Sequence, residues 1–231
     1  MKKRILVANR GEIAIRLIRA IQELGLDAIA VYETPDEMSR HIRIADEAVL
    51  LGDGPRCDYL NIEKIIRAAK KSGACAVHPG YGFLAENPFF AKACEDEGIL
   101  FIGPTAEIIS NLGNKVIARK IMADAGIPMV PGTENLRQGR QGITEALAFA
   151  SQYGYPVMLK ATSGGGGRGI RRIETDAEMT EQIPVARAEA LAAFNDDSVY
   201  LEKVVIDPKH VEVQILADSF GKTVHLGTRD C

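Results

Sequence analysis

The feature that most constrains this chain is the regular exchange of short apolar runs for amphipathic helical stretches up to Ile102. Ile5–Ala8 reads as a buried strand. A turn, NRG, leads into a helix over about Glu12–Leu24, where Ile13, Ala14, Leu17, Ile18 and Ile21 recur at three- and four-residue steps. Gly25 ends that helix. Strands are expected at Ala28–Tyr32, Ala48–Leu51, Ala74–Val77 and Ile99–Ile102. Helices are expected at Asn61–Lys71, with Asn61 as N-cap, and at Pro88–Glu97. Short strands of continuous apolar character alternating with helices imply a parallel sheet covered on both faces.

The pattern then changes. Helices are expected at Ala106–Leu112 and Lys115–Ala125. The segment GIPMVPGTEN, Gly126–Asn135, carries two prolines and two glycines and is the candidate boundary. Beyond it come a helix at Ile143–Tyr153, strands at Val157–Ala161 and Ile170–Ile173, and a helical stretch at Asp176–Phe194 that Pro184 is expected to kink or split. The apolar runs Val199–Val205, Val211–Ala217 and Thr223–Leu226 close the chain. The turn DSFGK between the last two suggests an antiparallel hairpin, so the second part reads as a small α+β unit.

Composition excludes more than it selects. The 231 residues carry 28 Lys plus Arg and 31 Asp plus Glu, a formal charge of −3, which gives no global electrostatic case for a nucleic-acid partner. Four scattered cysteines form no C-x-x-C pair, and His is sparse, so no zinc pattern is present and a reduced, intracellular setting is expected. The apolar run after MKKR ends at Ala8, too short for a signal-peptide core, and no stretch approaches the roughly 18 apolar residues of a membrane span.

The sharpest local signal is LKATSGGGGRGIR. Four consecutive glycines lie between Lys160 and Arg168. Glycine lets a ligand approach the backbone, and successive N–H groups can converge on an anion while the flanking cations add charge. Strand alternation puts Met158 and Lys160 on one face, Val157 and Leu159 on the other. The competing reading is a slack connection between two strands. Other phosphate motifs fit badly: Gly221-Lys222-Thr223 lacks the first P-loop glycine, NRGEIA lacks G-x-G-x-x-G, and no HRD, DFG or APE accompanies the loop. Glu202 and Lys203, beside Val204 and Val205, could hold a purine or simply form an exposed charge pair. Lys115 and Arg119, one helical turn apart, could form a solvated face.

The runs VANRGEIA, HPGYGFLAEN, FIGP, GNKVIARKIMADAGIP, GGGGRG, YLEKVV, HVEVQILAD and RDC, in this order from Arg4 to Cys231, resemble the biotin carboxylase family of ATP-grasp enzymes, found in acetyl-CoA, propionyl-CoA and pyruvate carboxylases. The resemblance implies an α/β fold. A Rossmann-like parallel-sheet N-terminal (pre-ATP-grasp) domain would span 1–113, a linking helical segment 114–130, an α+β ATP-grasp lid 131–203, and the first strands of an incomplete ATP-grasp domain 204–231. It implies ATP-dependent carboxylation of biotin by bicarbonate through carboxyphosphate, with Mg2+ or Mn2+ on the triphosphate. The implied partners are ATP, bicarbonate, a biotinylated carrier protein and a carboxyltransferase component, with a possible homodimer, no nucleic acid and no membrane. The implied compartment is the cytoplasm, or the mitochondrial matrix in a eukaryote.

By that resemblance Lys115 and Lys160 reach nucleotide phosphates, and Gly166 and Gly167 cover the triphosphate through their N–H groups. Glu202, Lys203, Val204 and Val205 match the adenine-holding strand, and His210 contacts nucleotide. No catalytic group or metal ligand is expected before Cys231, so a fragment of a longer enzyme, or one part of a split one, is the expectation. The alternatives are a non-catalytic nucleotide-binding or assembly module and another ATP-grasp ligase of the carbamoyl-phosphate synthase type. The chain departs from the family at Asn114, where Asp is usual, at Ala85 and Ser163, and at Thr228, where Glu commonly precedes RDC.

Overall fold

The computed structural model describes residues 2–52, 58–163 and 169–230. It divides into two compact units, one ending at Ala118 and the other starting at Arg119. In the first unit β1 (Arg4–Val7), α1 (Gly11–Glu23), β2 (Asp27–Glu33), α2 (Arg40–Ile44), β3 (Glu47–Gly52), α3 (Ile62–Lys71), β4 (Ala76–His78), α4 (Pro88–Asp96), β5 (Leu100–Phe101) and α5 (Ala106–Gly113) follow in order. The strands form one sheet of order β3-β2-β1-β4-β5, every pairing parallel.

Strand alternation builds two cores against this sheet. Leu6, Ala8, Ile29 and Val31 join Ile65 and Ala69 of α3 and Phe90 and Cys94 of α4. Ile5, Val7, Ala28 and Ala30 join Ala14, Ile18 and Ile21 of α1. The expected double-sided cover is present. Helix starts follow local chemistry: Asn61 Oδ1 accepts from Lys64 N at 3.0 Å, and Asn87 Oδ1 accepts from Phe89 N and Phe90 N ahead of Pro88. The five-residue α2 was not anticipated.

The helix α6 (Lys115–Asp124) runs across the point of division. Asn114 Oδ1 accepts from Val116 N and Ile117 N, both at 3.1 Å, so Asn caps this helix as the family's usual Asp can. The second unit continues with α7 (Gly139–Tyr153), β6 (Val157–Ala161), β7 (Ile170–Ile173), α8 (Asp176–Phe194), β8 (Val199–Lys203), β9 (Val211–Ala217) and β10 (Thr223–Asp230). β6 pairs antiparallel with β7 on one side and β8 on the other. Val157, Leu159, Ile173, Val199 and Leu201 pack against Ala146, Phe149 and Ala150 of α7 and Met179, Ile183 and Ala186 of α8.

Four expectations need correction. α8 is unbroken through Pro184. The segment 126–135 is part of the second unit: Lys203 N donates to Pro131 O, Thr133 N to Leu201 O and Leu136 N to Val199 O, each at 2.9 Å, along the free edge of β8. Third, β8 stops at Lys203, so Val204 and Val205 lie outside it. β6 begins after Pro156, whose carbonyl takes a last long bond from Val204 N at 3.4 Å. Fourth, β10 runs on to Asp230 because a bulge between His225 and Thr228, with Gly227 at φ +96°, restores pairing to β9. The hairpin exposes Val211, Val213 and Ile215. No helix among the described residues is long and apolar enough to cross a membrane.

Candidate functional site

The three-stranded sheet of the second unit packs α7 and α8 on one face. Register fixes what stands on the other. Met158 lies opposite Arg172 and Glu202, and Lys160 opposite Ile170 and Tyr200. Directly opposed residues share a face, so Met158, Lys160, Ile170, Arg172, Tyr200 and Glu202 form one surface. It combines apolar ground with a charged cluster.

Glu202 is the hub of that cluster. Its Oε2 accepts from Lys160 Nζ, and its Oε1 accepts from Arg119 Nη1 at 3.0 Å. The side chains of Arg119, Glu202 and Lys160 are 19%, 17% and 25% exposed, so all three are largely withdrawn from water. Two cations on one carboxylate leave a net charge of +1. Burial, then the neighbouring Glu202 carboxylate, pushes the Tyr200 phenol well above its usual range, so it remains a neutral donor. Arg119 also donates to Val130 O at 2.6 Å. Gly132 bridges Glu202 from the adjoining segment. A Cβ there would stand 2.7 Å from Arg119 Nη2 and 2.8 Å from Leu201 O, so only glycine lets the guanidinium and the strand lie this close.

Lys160 and Glu202 therefore come together. Lys203 does not join them: register sets it opposite Val157, and its Nζ donates to Gly154 O at 3.0 Å and Tyr155 O at 3.1 Å. The exposed Glu202–Lys203 pair considered from sequence is thus replaced by two separate anchorages. Val204 is half-buried, whereas Val205 and His210 are exposed. Lys115 is half-buried at the start of α6. Gly166 and Gly167 lie outside the described residues, as does Arg168. Ser163 Oγ donates to Asp196, whose carboxyl is held below its usual range chiefly by that bond.

Arg119 was read as one member of a solvated face; the structure puts it on Glu202, 83 positions away. No local pattern carries that pairing. A second feature missed from sequence lies in the first unit, where the strand order turns about β1 and β4. A cavity of about 500 Å3 there is lined by Asn9, Arg10, Asp36, Ser39, Tyr81 and Phe83. Asn9 Nδ2 donates to Pro79 O and Tyr81 O, while Asp36 accepts from Arg10 and from Tyr59 Oη. Burial opposes the Asp36 charge, but the Tyr59 and Arg10 hydrogen bonds outweigh it and hold the carboxyl below its ordinary value. Among the described residues no group of three His, Cys, Asp or Glu is placed to hold a metal ion.

Comparison with known proteins places the chain in a class. Residues 114–231 match the family described as carbamoyl-phosphate synthase L chain, ATP binding domain. Residues 1–109 match biotin carboxylase, N-terminal domain. The Bacillus subtilis protein named biotin carboxylase 1 is 48% identical over 232 residues, covering 100% of this chain and 51% of the relative. The biotin carboxylase–βγ-ATP complex from Campylobacter jejuni superposes with a TM-score of 0.93 at 42% identity, covering 100% of this chain and 51% of that one. The biotin carboxylase domain dimer of Hydrogenobacter thermophilus 2-oxoglutarate carboxylase, solved with MgADP, ADP and bicarbonate, gives 0.90 at 47% identity, covering 100% and 50%. The fold is thus of the ATP-grasp class. The chain belongs to the biotin carboxylase family, and it spans about half the length of the curated relatives it matches.

Proposed function

We propose that the chain supplies the nucleotide-holding part of a biotin carboxylase, with the charged face of β6, β7 and β8 as its ATP site. One observation carries this reading: a half-buried cluster of net charge +1 stands beside apolar ground on the sheet face opposite α7 and α8. An anionic triphosphate suits the charge, and a flat base suits Met158 and Ile170. Residues 131–203 are then the lid, and by resemblance Gly166 and Gly167 are its phosphate-covering glycines.

In this assignment Lys160 holds phosphate oxygens, and Lys115 is assigned to nucleotide phosphate by the resemblance alone. Glu202 orients Lys160. Val204 and Val205, beyond the strand, offer apolar surface to the base, and backbone groups of Glu202 and Lys203 its polar edge. His210 contacts the nucleotide from the start of β9. The whole reaction is the carboxylation of biotin. A bicarbonate oxygen attacks the γ-phosphorus, the bond to ADP breaks, the resulting carboxyphosphate releases CO2 and phosphate, and the N1′ of biotin takes the CO2 as its proton passes to that phosphate. Bound Mg2+ or Mn2+ would neutralise phosphate charge; this chain's donors fit the phosphates rather than the metal, since the clustered side chains are cationic. The carrier protein bearing biotin, a carboxyltransferase component and a second copy of the chain are the partners that go with this activity.

Calorimetric titration of ADP with Mg2+ into the purified chain tests the reading. Lys160→Ala should weaken binding by about tenfold or more, because it removes a charge-assisted phosphate contact. Equal affinity in the two proteins contradicts the assignment of Lys160.

A further inference from the structure

We infer that Arg119 is a positioning residue that frees Lys160 for the phosphates, an inference that rests on the nucleotide reading above. The geometry poses a conflict. Lys160 sits on Glu202, and an ammonium that turns to a phosphate must leave that carboxylate. Glu202 is 17% exposed. A carboxylate so withdrawn from water, stripped of its partner, is strongly unfavourable, and that cost opposes release of the lysine.

Arg119 removes most of the conflict. It takes the other carboxylate oxygen, at 3.0 Å, so Glu202 stays paired when Lys160 departs. The guanidinium is itself held: its second nitrogen donates to Val130 O at 2.6 Å, and the bare Cα of Gly132 leaves it room. A fork that bonds a carboxylate and a carbonyl together keeps its place better than a lone ammonium on a flexible stem. Arg119 thus sets the nucleotide affinity of Lys160 through its bonds to Glu202 and Val130. The acid is the shared partner that couples the two cations.

A double-mutant cycle read by ADP–Mg2+ affinity tests this. Arg119→Met keeps the apolar stem and removes the charge. It should weaken binding about tenfold, because Lys160 then remains locked on Glu202. In a Glu202→Gln background, with no carboxylate to leave bare, the same substitution should change affinity by less than about twofold. Arg119→Lys, which keeps the charge but loses the fork, should fall between wild type and Arg119→Met, and circular dichroism should show every variant folded. Wild-type affinity in Arg119→Met overturns the inference. So does a tenfold loss that persists beside Glu202→Gln, since Arg119 would then act through Val130 and the backbone alone. A wild-type chain that binds no ADP removes the nucleotide reading and this inference together; the first two results remove the inference only.

Discussion

The parallel sheet of the first unit and the three-stranded sheet of the second use the same alternation of side chains to opposite ends. In the first, both faces of β1 and β2 are apolar, because α1 covers one and α3 and α4 the other. In the second, α7 and α8 cover one face, and the opposite face keeps Lys160, Glu202 and Arg172. A sheet sealed on both sides can offer a ligand only the ends of its strands. A sheet sealed on one side can offer a face. The β9–β10 hairpin extends the series, with Val211, Val213 and Ile215 exposed.

This contrast predicts a gradient of mutational cost. Leu159 and Lys160 are neighbours on one strand, yet Leu159→Ala should destabilise the second unit by roughly 2–5 kcal/mol, since Leu159 is fully buried. Chemical denaturation measures it, and a loss below about 1 kcal/mol would mean that the helix-covered face is not the core. Next comes Arg187, 8% exposed, whose guanidinium serves Leu136 O, Arg137 O and Asp197 O at 2.6–3.0 Å. Arg187→Met leaves three carbonyls short of a donor and should cost about 2–3 kcal/mol.

A smaller effect separates the units by pH. Burial pushes the imidazoles of His41 and His78 below their usual 6.5, and both lie in the first unit. The unfolded chain then takes up protons first. Stability of the first unit should be whole above pH 6.5 and decline as pH falls from there toward the depressed values. The Asp36 contribution is lost only below 3.8, as pH falls through its lowered pKa, so the two windows are distinct. Amide exchange at pH 7.5 and 5.5 should show β1–β4 opening more at the lower value than β6–β8; equal change in both sheets contradicts this. The smallest effect belongs to the hairpin. Ile215→Ser, at a site 52% exposed, should shift stability of the chain by less than about 0.5 kcal/mol in the same denaturation experiment.

The first unit was legible from sequence because its signal is local. Ile5–Ala8 and Ala28–Tyr32 are apolar runs short enough for strands, and Asn61 announces its helix. The helix α2 escaped because RHIRI has two apolar residues in five, too few for a period. Val204 and Val205 have strand chemistry but no partner to pair with, since the edge of β6 ends at Pro156, and pairing is a tertiary fact. The polar end of β10 is the reverse case: Thr228, Arg229 and Asp230 look like loop, yet the bulge at Gly227 carries them into register. In the candidate site, Lys160 and its face followed from strand alternation. The partnership of Arg119 with Glu202 did not, because it depends on how the 126–132 segment and α6 meet the edge of β8.

The central claim is that the charged face of β6, β7 and β8 receives the nucleotide. Crystals of the chain grown with ADP and Mg2+ test it directly. The account predicts phosphate density within hydrogen-bond reach of Lys160 Nζ, with that ammonium turned away from Glu202 while Arg119 stays on the carboxylate. Nucleotide density at any other place, with Lys160 still on Glu202, would contradict it.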